Sequence, residues 1–531
     1  MNKPQSDKIY DLFIIGGGIN GCGIARDAAG RGLTVALAEM NDLASATSSS
    51  STKLFHGGLR YLEYFEFRLV REALIERENL LVAMPHISWP MRFVLPYHQD
   101  MRFESDTPTS KLLTTFMPWT KGQRPAWLIR LGLFLYDNLG GRKILPGTKT
   151  LDLRTAPEGK PIADKFVHAY EYSDCWVEDS RLVVLNARDA QNRGAKIMTR
   201  TKVVDAVSSD GVWTITTKDQ ITGERQVFMA KLLVNAGGPW VENNIRNVAH
   251  ISTNEGVRLV RGSHIVTKKL FDHNKAYFFQ GEDGRIIFAI PYEQDFTLIG
   301  TTDQDHKDLN TKPECTPEEQ DYLCKFASQY FANAITRDDI VWTYSGVRPL
   351  YDDHASSSTA ATREYVLKLN QTGEAPALNI FGGKITTYRR LAEAAIAKFE
   401  QFFPSLPGDW TRRTPLPGGD FAYDQFDQLV AKLQSQLPFL APQTTHRLVR
   451  AYGTDIFKIF KNAATQRDLG EHFGHGIYAR ELDWVMANEW VMTAEDYLWR
   501  RTKMGLRVDE TQALAIEQFI AERLQNKNGL V

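Results

Sequence analysis

The sequence predicts an α/β fold made of a nucleotide-binding unit, a β-rich unit and a C-terminal helical unit. A glycine-rich turn at residues 16–23 stands between an apolar stretch and a helix-forming stretch, which is typical of a nucleotide-binding βαβ unit. Several short strand-forming stretches follow between residues 202 and 299. Residues 421–531 have a helical pattern and come after a proline- and glycine-rich segment at residues 404–419, which marks a domain boundary.

Length and composition favour a folded protein of several units. The chain has 531 residues, which exceeds one typical domain, so two or three hydrophobic cores are expected. The hydrophobic fraction of 43% and the charged fraction of 24% are those of ordinary globular proteins. The formal net charge is -1, so no overall field attracts nucleic acid or anionic lipid, and no nucleic-acid partner is expected.

The cysteines and the N-terminal residues indicate a reducing compartment. The four cysteines form no C-x-x-C pair and are too few for a disulfide scaffold, so we expect free thiols. No metal site is expected. Residues 1–8 are polar and lead directly into the first strand, without the pattern of a signal or transit peptide. Because no apolar stretch is long enough to span a bilayer, the expected location is the cytoplasm or the inner face of its membrane.

The glycine-rich turn has the spacing G-x-G-x-x-G at Gly16, Gly18 and Gly21. The first glycine allows the turn, the second lets the backbone approach a pyrophosphate, and the third lets helix and strand pack closely. The free N–H groups at the helix N-terminus then face the anion. A second buried strand, residues 33–38, ends at Glu39, where an acidic side chain accepts a hydrogen bond from a ribose hydroxyl. These features predict a dinucleotide site.

A hydroxyl-rich loop and two further glycine turns surround this predicted site. The loop covers residues 44–52, and it leads into a glycine pair at residues 57–58, so it is placed to wrap a pyrophosphate. A strand at residues 231–234 precedes Gly237, and another at residues 378–381 precedes a second glycine pair. Both turns place backbone at the carboxyl edge of the predicted sheet, where ligands bind.

Hydrophobic spacing predicts the other main elements. Helices are predicted at residues 62–84 and 181–191, and strands at residues 202–207, 212–217, 264–266, 286–290 and 297–299. The segment from Trp127 to Leu139 contains only two charged residues and allows two interpretations. It is a buried helix of the β-rich unit, which the pattern alone favours, or an apolar surface that enters a lipid interface.

Six motifs together resemble one family. They are residues 14–23, 46–61 (ATSSSSTKLFHGGLRY), 262–266 (GSHIV), 300–303 (GTTD), 342–350 (WTYSGVRPL) and 381–388 (FGGKITTY). This set is similar to the aerobic, quinone-linked, FAD-dependent glycerol-3-phosphate dehydrogenases. The resemblance extends to the C-terminus and includes DYLWRRTK at residues 496–503. It implies FAD as cofactor and an FAD-binding fold of the glutathione-reductase/D-amino-acid-oxidase type.

The resemblance also implies three units. The FAD-binding domain is expected to be discontinuous, and the β-rich substrate or cap domain is inserted between its pieces. The expected FAD-binding domain comprises residues 1–96, 165–245 and 345–403; the cap domain, with its membrane-facing segment, comprises residues 97–164 and 246–344; the C-terminal helical domain comprises residues 404–531. Residues 97–124 are longer than the family pattern suggests.

The implied reaction is oxidation of sn-glycerol 3-phosphate to dihydroxyacetone phosphate. FAD accepts the hydride, and Arg348 in the SGVRP turn is the candidate phosphate ligand because a guanidinium holds phosphate oxygens as a fork. Arg60 and Tyr61 match family positions near the substrate. His264 is the candidate general base, with His56 as its rival.

Lys384 is expected near the flavin ring or the developing ketone, where its charge stabilises an anion. Thr387 is a candidate donor to flavin oxygens. The full set assigned to FAD is Gly16, Gly18, Gly21, Glu39, Thr47, Ser48, Ser49, His56, Gly57, Gly58, Gly237, Gly382, Gly383, Lys384 and Thr387.

The implied partners are a membrane quinone and a lipid surface, with a homodimer as a further possibility. The family resemblance therefore favours the lipid-interface interpretation of Trp127 to Leu139, with Arg500, Arg501 and Lys503 as additional contacts to lipid head groups. Three alternatives stay open. The first is a glycerol-3-phosphate oxidase that reduces oxygen to hydrogen peroxide; the second is an amine or amino-acid oxidase of the same fold; the third is a non-catalytic FAD-binding protein.

Overall fold

The computed structural model describes residues 8–98, 107–109, 111, 115, 125–281, 285–309, 311–352, 364–370 and 375–528. Most of the longer-than-expected segment, residues 97–124, lies outside the described residues.

The described strands, in chain order, are β1 Ile9–Ile15, β2 Val35–Ala38, β3 Leu54–Phe55, β4 Ser88–Tyr97, β5 Lys149–Asp152, β6 His168–Val177, β7 Lys196–Met198, β8 Thr201–Ser209, β9 Val212–Asp219, β10 Arg225–Asn235, β11 Val257–Lys268, β12 Ala276–Gln280, β13 Ile286–Tyr292, β14 Phe296–Gly300, β15 Gln304–Asp305, β16 Ile340–Tyr351, β17 Val366–Asn370 and β18 Ala377–Phe381. The main helices are α1 Ile19–Gly30, α2 Phe67–Ala83, α3 Ala126–Leu139, α4 Asp179–Asn192, α5 Pro317–Ser328, α6 Tyr388–Ala397, α7 Phe426–Gln436, α8 Pro442–Tyr452, α9 Ile456–Ile459, α10 Ala479–Asn488 and α11 Glu510–Asn528.

The first sheet has β1 at its centre. Its strand order is β17-β18-β10-β1-β2-β7, and β8 and β9 extend it through β10. The pairs β10–β1, β1–β2, β2–β7 and β18–β10 are parallel, so their carboxyl ends meet at one edge. Helix α1 packs against α4 and α6. The apolar residues of β1 are buried on both faces, as expected for a covered parallel sheet.

The second sheet contains ten strands in the order β15-β11-β14-β13-β12-β4-β6-β3, with β16 paired to β11 and β5 to β6. Strands β4, β6 and part of β16 belong to this sheet, whereas the predicted boundaries, which stay a prediction, assign most of their residues to the FAD-binding domain. The reason is tertiary pairing: β4 pairs with β6 along its whole length, and β16 pairs with β11 in the same way. Local patterns do not disclose which sheet a strand joins.

Helices α7 to α11 form the C-terminal unit around a core that includes Leu448, Leu482 and Tyr497. A π-helical turn, Asp496–Arg501, lies between α10 and α11. No helix in the described part of the chain has the length and apolarity that crossing a membrane requires.

The first residues of the predicted helix at 62–84 are not part of an α-helix in the structure. Residues Leu59–Tyr64 form a 3-10 turn, and α2 begins only at Phe67. Phe65 between them has a φ of 60°, a left-handed conformation that ends a helix. Arg60 and Tyr61 therefore lie in a 3-10 turn that Phe65 separates from α2.

Candidate active site

The glycine-rich turn joins β1 to α1 in a conformation that requires glycine. Gly16 has a φ of +107°, and a Cβ there would lie 2.5 Å from the carbonyl oxygen of Ala236. A Cβ on Gly21 would lie 2.0 Å from the carbonyl oxygen of Gly16. These distances are too short for any side chain, so helix and strand pack as closely as a pyrophosphate-binding turn requires.

The hydroxyl-rich loop reaches the N-terminus of α1. Ser48 Oγ accepts a hydrogen bond from the N–H of Ile19 at 3.0 Å, and a Cβ on Gly18 would lie 3.1 Å from the same oxygen. Thr47 Oγ1 donates to the carbonyl oxygen of Val347 at 2.6 Å, while Ser49 Oγ donates to the Ala46 carbonyl oxygen at 3.2 Å. The loop therefore ties the helix N-terminus to strand β16.

Glu39 follows β2 and is held by backbone N–H groups. Its Oε2 accepts from Gly17 at 2.7 Å and its Oε1 accepts from Asn41 at 2.9 Å. Burial raises the pKa of the carboxyl group, although these two hydrogen bonds oppose that effect. A carboxylate oxygen has two acceptor positions, so each can still accept from a ribose hydroxyl.

The other two glycine turns lie beside the first. The Cα of Gly237 would be 3.3 Å from a Cβ on Gly16. Asn20 Nδ2 donates to the carbonyl oxygen of Gly382 at 3.2 Å, and Gly382 and Gly383 have φ values of +67° and +96°. Asn20 Oδ1 is buried and has no hydrogen-bond partner among the described residues. The three turns form a cradle of backbone groups, with a polar atom that a ligand can satisfy.

Lys384 and Tyr61 meet across the site. The Lys384 Nζ lies 3.8 Å from the centroid of the Tyr61 ring, which brings together two residues that are distant in sequence. Gly58 before this turn has a φ of +75°, and a Cβ there would lie 2.2 Å from the Tyr61 ring. Arg60 lies in the same 3-10 turn as Tyr61. The turn therefore carries the predicted substrate residues to the second glycine pair.

A buried polar cluster fixes the other side of that turn. The N–H of Gly57 donates to Tyr136 Oη at 2.7 Å and to Asp174 Oδ1 at 3.3 Å, and Arg77 Nη1 donates to Asp174 at 2.6 Å. Tyr136 belongs to α3. Helix α3 thus supports the turn that holds Arg60.

Arg348 lies in strand β16 and not in the predicted turn. The strand continues through SGVRP because β11 offers an unbroken antiparallel partner, with Val260 opposite Arg348. The guanidinium forms an ion pair with Asp303, and its Nη2 donates to Thr301 Oγ1 at 3.1 Å. A Cβ on Gly262 would lie 2.5 Å from Nη2, so this glycine leaves room for the guanidinium.

His264 is buried at the centre of the second sheet. It lies opposite Tyr344 on β16, and the two rings stack with centroids 4.6 Å apart. Its Nε2 shares a hydrogen bond with Thr52 Oγ1 at 3.0 Å, and its Nδ1 has no hydrogen-bond partner among the described residues. Burial, with the nearby charges of Arg348 and Lys53, lowers the pKa of His264 well below its usual value. The imidazole is therefore neutral and able to accept a proton.

The structure also shows contacts of His56 and Thr387. His56 follows β3 and is half-buried, with its ring centroid 6.5 Å from that of Phe288. Thr387 is buried, and its N–H donates to the Lys384 carbonyl oxygen at 3.1 Å. Neither contact assigns a chemical role.

Several partners of the predicted residues were missed in the sequence. Asp303 and Thr301 orient Arg348, Thr52 binds His264, and Asn20 contacts the Gly382 turn. Asp303 and Thr301 belong to the GTTD motif, so that motif was the sequence feature from which these two partners of Arg348 could have been predicted. Asn20 lies inside the glycine turn, where its amide has no distinguishing pattern.

The prediction that Arg500, Arg501 and Lys503 contact lipid head groups is wrong. Arg501 is fully buried and forms an ion pair with Asp42, and Arg500 pairs with the same carboxylate at 2.6 Å. Lys503 is also buried. A cluster of basic residues in a sequence does not disclose the acidic partner that the fold brings to it.

Helix α3 is neither fully buried nor fully exposed. Leu133 and Tyr136 are buried, whereas Trp127, Leu131 and Phe134 are 55%, 44% and 61% exposed. The exposed three recur at helical spacing, so they form one apolar face. The interpretation of this segment as a buried helix is therefore wrong for that face.

Two known protein families match the chain. The family described as FAD dependent oxidoreductase matches residues 11–389, and the C-terminal domain of alpha-glycerophosphate oxidase matches residues 410–529.

Two curated relatives and one solved structure match almost the entire chain. D-erythritol 1-phosphate dehydrogenase of Brucella abortus is 49% identical over 98% of this chain and 98% of the relative. Aerobic glycerol-3-phosphate dehydrogenase of Escherichia coli is 44% identical over 98% of this chain and 99% of the relative. The structure of glycerol-3-phosphate dehydrogenase from Bacillus halodurans complexed with FAD has a TM-score of 0.72 and 26% identity, covering 98% of this chain and 92% of that chain.

Proposed function

Since the chain belongs to the FAD-dependent oxidoreductase family that includes the aerobic glycerol-3-phosphate dehydrogenases, we propose that it oxidises sn-glycerol 3-phosphate to dihydroxyacetone phosphate. The two family matches and the similar solved structure confirm the family and the FAD-binding fold that the sequence motifs predict. The observation that carries the substrate proposal is Arg348, a partly exposed guanidinium on the same pair of strands as the buried, neutral His264.

The cradle of three glycine turns fits FAD. The backbone around Gly16 and Gly21 leaves no room for side chains at these two positions. The N–H groups at the N-terminus of α1 can bind a pyrophosphate. Glu39 would hold the ribose, and Lys384, after the Gly382–Gly383 turn, would place its charge near the flavin ring. When bound, FAD accepts the hydride from the alcohol carbon.

Arg348 recognises the substrate phosphate. Asp303 and Thr301 fix the guanidinium on one side, and its partial exposure leaves the other side for phosphate oxygens. A fork of two N–H donors matches phosphate geometry better than a single ammonium does. Arg60 and Tyr61, on the 3-10 turn next to Lys384, are the further substrate contacts in this proposal.

His264 removes the proton from the substrate hydroxyl. Its Nδ1 is buried without a partner among the described residues, so a substrate hydroxyl supplies the missing hydrogen bond. Thr52 and Tyr344 hold the ring in place while it accepts the proton. Lys384 stabilises the negative charge that develops on the oxygen of the forming ketone.

The electron acceptor is a membrane quinone, and α3 attaches the protein to the inner face of the cytoplasmic membrane. The exposed apolar face of α3 offers Trp127, Leu131 and Phe134 to a lipid interface. Helix α3 also packs against the 3-10 turn that carries Arg60 and Tyr61, which brings the lipid surface close to the substrate pocket. A quinone dissolved in the bilayer can then approach the reduced cofactor without leaving the membrane.

A second candidate substrate is D-erythritol 1-phosphate. The relative named for that substrate is 49% identical to this chain over almost the full length of both. D-erythritol 1-phosphate has one more CHOH group than glycerol 3-phosphate and carries the same phosphate group. Arg348 and His264 therefore serve either compound, and the choice depends on the space beyond the reacting carbon.

Anaerobic titration of the holoenzyme distinguishes these possibilities. We expect sn-glycerol 3-phosphate to bleach the flavin absorbance and a soluble quinone to restore it. Absence of flavin from the purified protein, or failure of both polyol phosphates to bleach it, would overturn the proposal. In separate steady-state assays, a higher kcat/KM with D-erythritol 1-phosphate assigns the second substrate, and hydrogen peroxide formed in step with turnover in the presence of oxygen assigns an oxidase.

A further inference from the structure

We propose that the motif at residues 496–503, here called the C-terminal clamp, positions the loop after β2 for the adenosine end of FAD. The C-terminal unit is then required for cofactor affinity and not only for stability. This inference rests on FAD binding in the proposed function.

The clamp holds Asp42 by a buried ion network. Arg501 Nη1 and Nη2 donate to the two carboxylate oxygens of Asp42 at 2.7 and 2.8 Å, and Arg500 Nε donates to Asp42 Oδ2 at 2.6 Å. The side chains of Arg501 and Asp42 are 0% and 1% exposed. A bidentate pair of this kind fixes direction as well as distance.

A second link fixes the same loop one residue earlier. The N–H of Arg200 donates to the Asn41 carbonyl oxygen at 2.8 Å, and its Nη2 donates to Asp496 Oδ2 at 2.7 Å. Asp496 in turn accepts from Arg500, so both links end in the clamp. The loop at residues 39–42 is therefore held from the C-terminal unit at two adjacent residues.

This loop carries Glu39 and supports the glycine turn. Glu39 accepts from the N–H groups of Gly17 and Asn41, so a displacement of Asn41 is passed to the carboxylate and from there to Gly17. In dinucleotide folds the acidic residue at this strand end binds the adenosine ribose, and the glycine turn binds the pyrophosphate. The clamp thus acts through Glu39 on both parts of the cofactor site.

The contact between the clamp and Asp42 consists of charged side chains, and this favours a positioning role for the clamp. Apolar residues of similar size stabilise an interface at least as well as a buried ion pair, because burying charges costs desolvation free energy. In some proteins buried ion pairs instead select one geometry, and we infer that role here. The contact with Asp42 therefore sets where the loop lies, whereas the apolar core around Leu448 and Leu482 stabilises the unit itself.

The clamp also contacts strand β16, which carries Arg348. Trp499 stacks on Trp342 of β16 with ring centroids 4.4 Å apart, and Trp342 lies 5.1 Å from Tyr344, which stacks on His264. One short motif therefore contacts both the loop after β2 and strand β16.

The test compares two arginines of the C-terminal unit in the full-length protein, Arg501 with a fully buried side chain and Arg447 with a side chain that is 15% exposed. Arg501→Gln removes the fork to Asp42, whereas the matched control Arg447→Gln breaks a bidentate pair with Glu481 inside the unit, at 2.7 and 2.8 Å. FAD affinity is measured by flavin fluorescence after removal and return of the cofactor. Arg500→Gln, at a side chain that is only partly buried, serves if Arg501→Gln does not fold.

We expect Arg501→Gln to raise the Kd for FAD about tenfold, within the range usual for two coupled sites. Arg501→Lys, which keeps the charge, restores part of the affinity, and saturating FAD restores kcat. Arg447→Gln lowers Tm but leaves the Kd unchanged. An unchanged Kd in both the Arg501→Gln and Arg500→Gln variants, or an equal rise in the Arg447→Gln control, would overturn the inference. Because the Kd is measured without substrate, this result is independent of whether glycerol 3-phosphate reduces the flavin.

Discussion

Nε2 of His264 lies 3.0 Å from Oγ1 of Thr52, so one hydrogen bond joins the second sheet to the hydroxyl-rich loop of the nucleotide-binding unit. The two residues are far apart in sequence, and each belongs to a motif of the site. The contact fixes the imidazole next to the loop that binds the N-terminus of α1. His264, the proposed proton acceptor, is therefore linked directly to the loop that contacts the cofactor cradle.

The first prediction concerns the protonation state of His264. Its lowered pKa keeps the imidazole neutral to a lower pH than the usual value of about 6.5 allows. Since the neutral form is the base, kcat/KM should stay level as the pH falls from about 8 to about 6.5. The pH profile of kcat/KM measures this directly.

Replacement of the imidazole provides the control. His264→Gln should lower kcat by about 10²-fold or more, the usual contribution of a general base, and leave FAD bound. His56→Gln should have a much smaller effect. A large loss in His56→Gln together with a small loss in His264→Gln would transfer the role of base to the rival histidine.

The second prediction concerns Arg348. Arg348→Ala removes the proposed phosphate ligand and should raise KM for sn-glycerol 3-phosphate at least about tenfold, because charge-assisted hydrogen bonds contribute about 1.5–3 kcal/mol each. Flavin content should not change. Steady-state kinetics and the flavin absorbance of the same preparation measure the two effects.

Arg258 is a matched control for that substitution. It also lies on the second sheet, has a similarly exposed side chain and pairs with an aspartate, Asp305, at 3.1 Å, but Asp305 is 58% exposed. Arg258→Ala should leave KM unchanged. If Arg348→Ala and Arg258→Ala give the same KM as the unmodified enzyme, Arg348 does not bind the phosphate.

The cofactor turn could be predicted from the sequence because its signal is local. Gly16, Gly18 and Gly21 lie within six residues of one another, and each is needed for a backbone reason that the structure shows at Gly16 and Gly21. The strand before them and the helix after them have clear hydrophobic patterns. Nothing distant is required to recognise this unit.

The placement of Arg348 could not be predicted in the same way. Glycine and proline in SGVRP favour a turn, but β11 pairs with the whole segment and keeps it extended. Gly346 is needed there because a Cβ would lie 2.5 Å from Ser50 Cβ of the hydroxyl-rich loop. Tertiary pairing therefore outweighs the local preference.

The partner of Arg501 could not be predicted from the sequence for a related reason. Asp42 is 459 residues away, and only the packing of the C-terminal unit on the nucleotide-binding unit brings the two together. A basic cluster in sequence is compatible with a lipid surface and with a buried carboxylate alike. The distinction depends on contacts that no local pattern contains.

The third prediction tests the glycine turn. Gly21→Ala places a Cβ about 2.0 Å from the Gly16 carbonyl oxygen, so strand and helix must separate and FAD content should fall sharply. Flavin absorbance per chain measures the loss. Gly132→Ala in α3 meets no atom within 4 Å and should leave flavin content unchanged. Equal flavin content in both variants would show that the turn tolerates a side chain.

The last prediction tests membrane attachment through α3. Phe134 is 61% exposed on the apolar face of that helix, so Phe134→Glu should change membrane binding without opening the core. Insertion of an apolar face into the interface is favourable in proportion to its area, whereas a carboxylate there must be desolvated. We expect Phe134→Glu to weaken binding to vesicles of anionic lipid by about tenfold or more, as measured by co-sedimentation. Activity with a soluble quinone should remain.

Leu514 on α11 is the control for that experiment. It is 62% exposed, close to the value for Phe134, but belongs to the C-terminal unit. Leu514→Glu should leave vesicle binding unchanged, because this helix is not the proposed docking surface. Equal loss in both variants would attribute the effect to added negative charge. Unchanged binding of Phe134→Glu would remove α3 from the docking surface, whereas selective loss in Phe134→Glu supports α3 as the element that attaches the protein to the membrane.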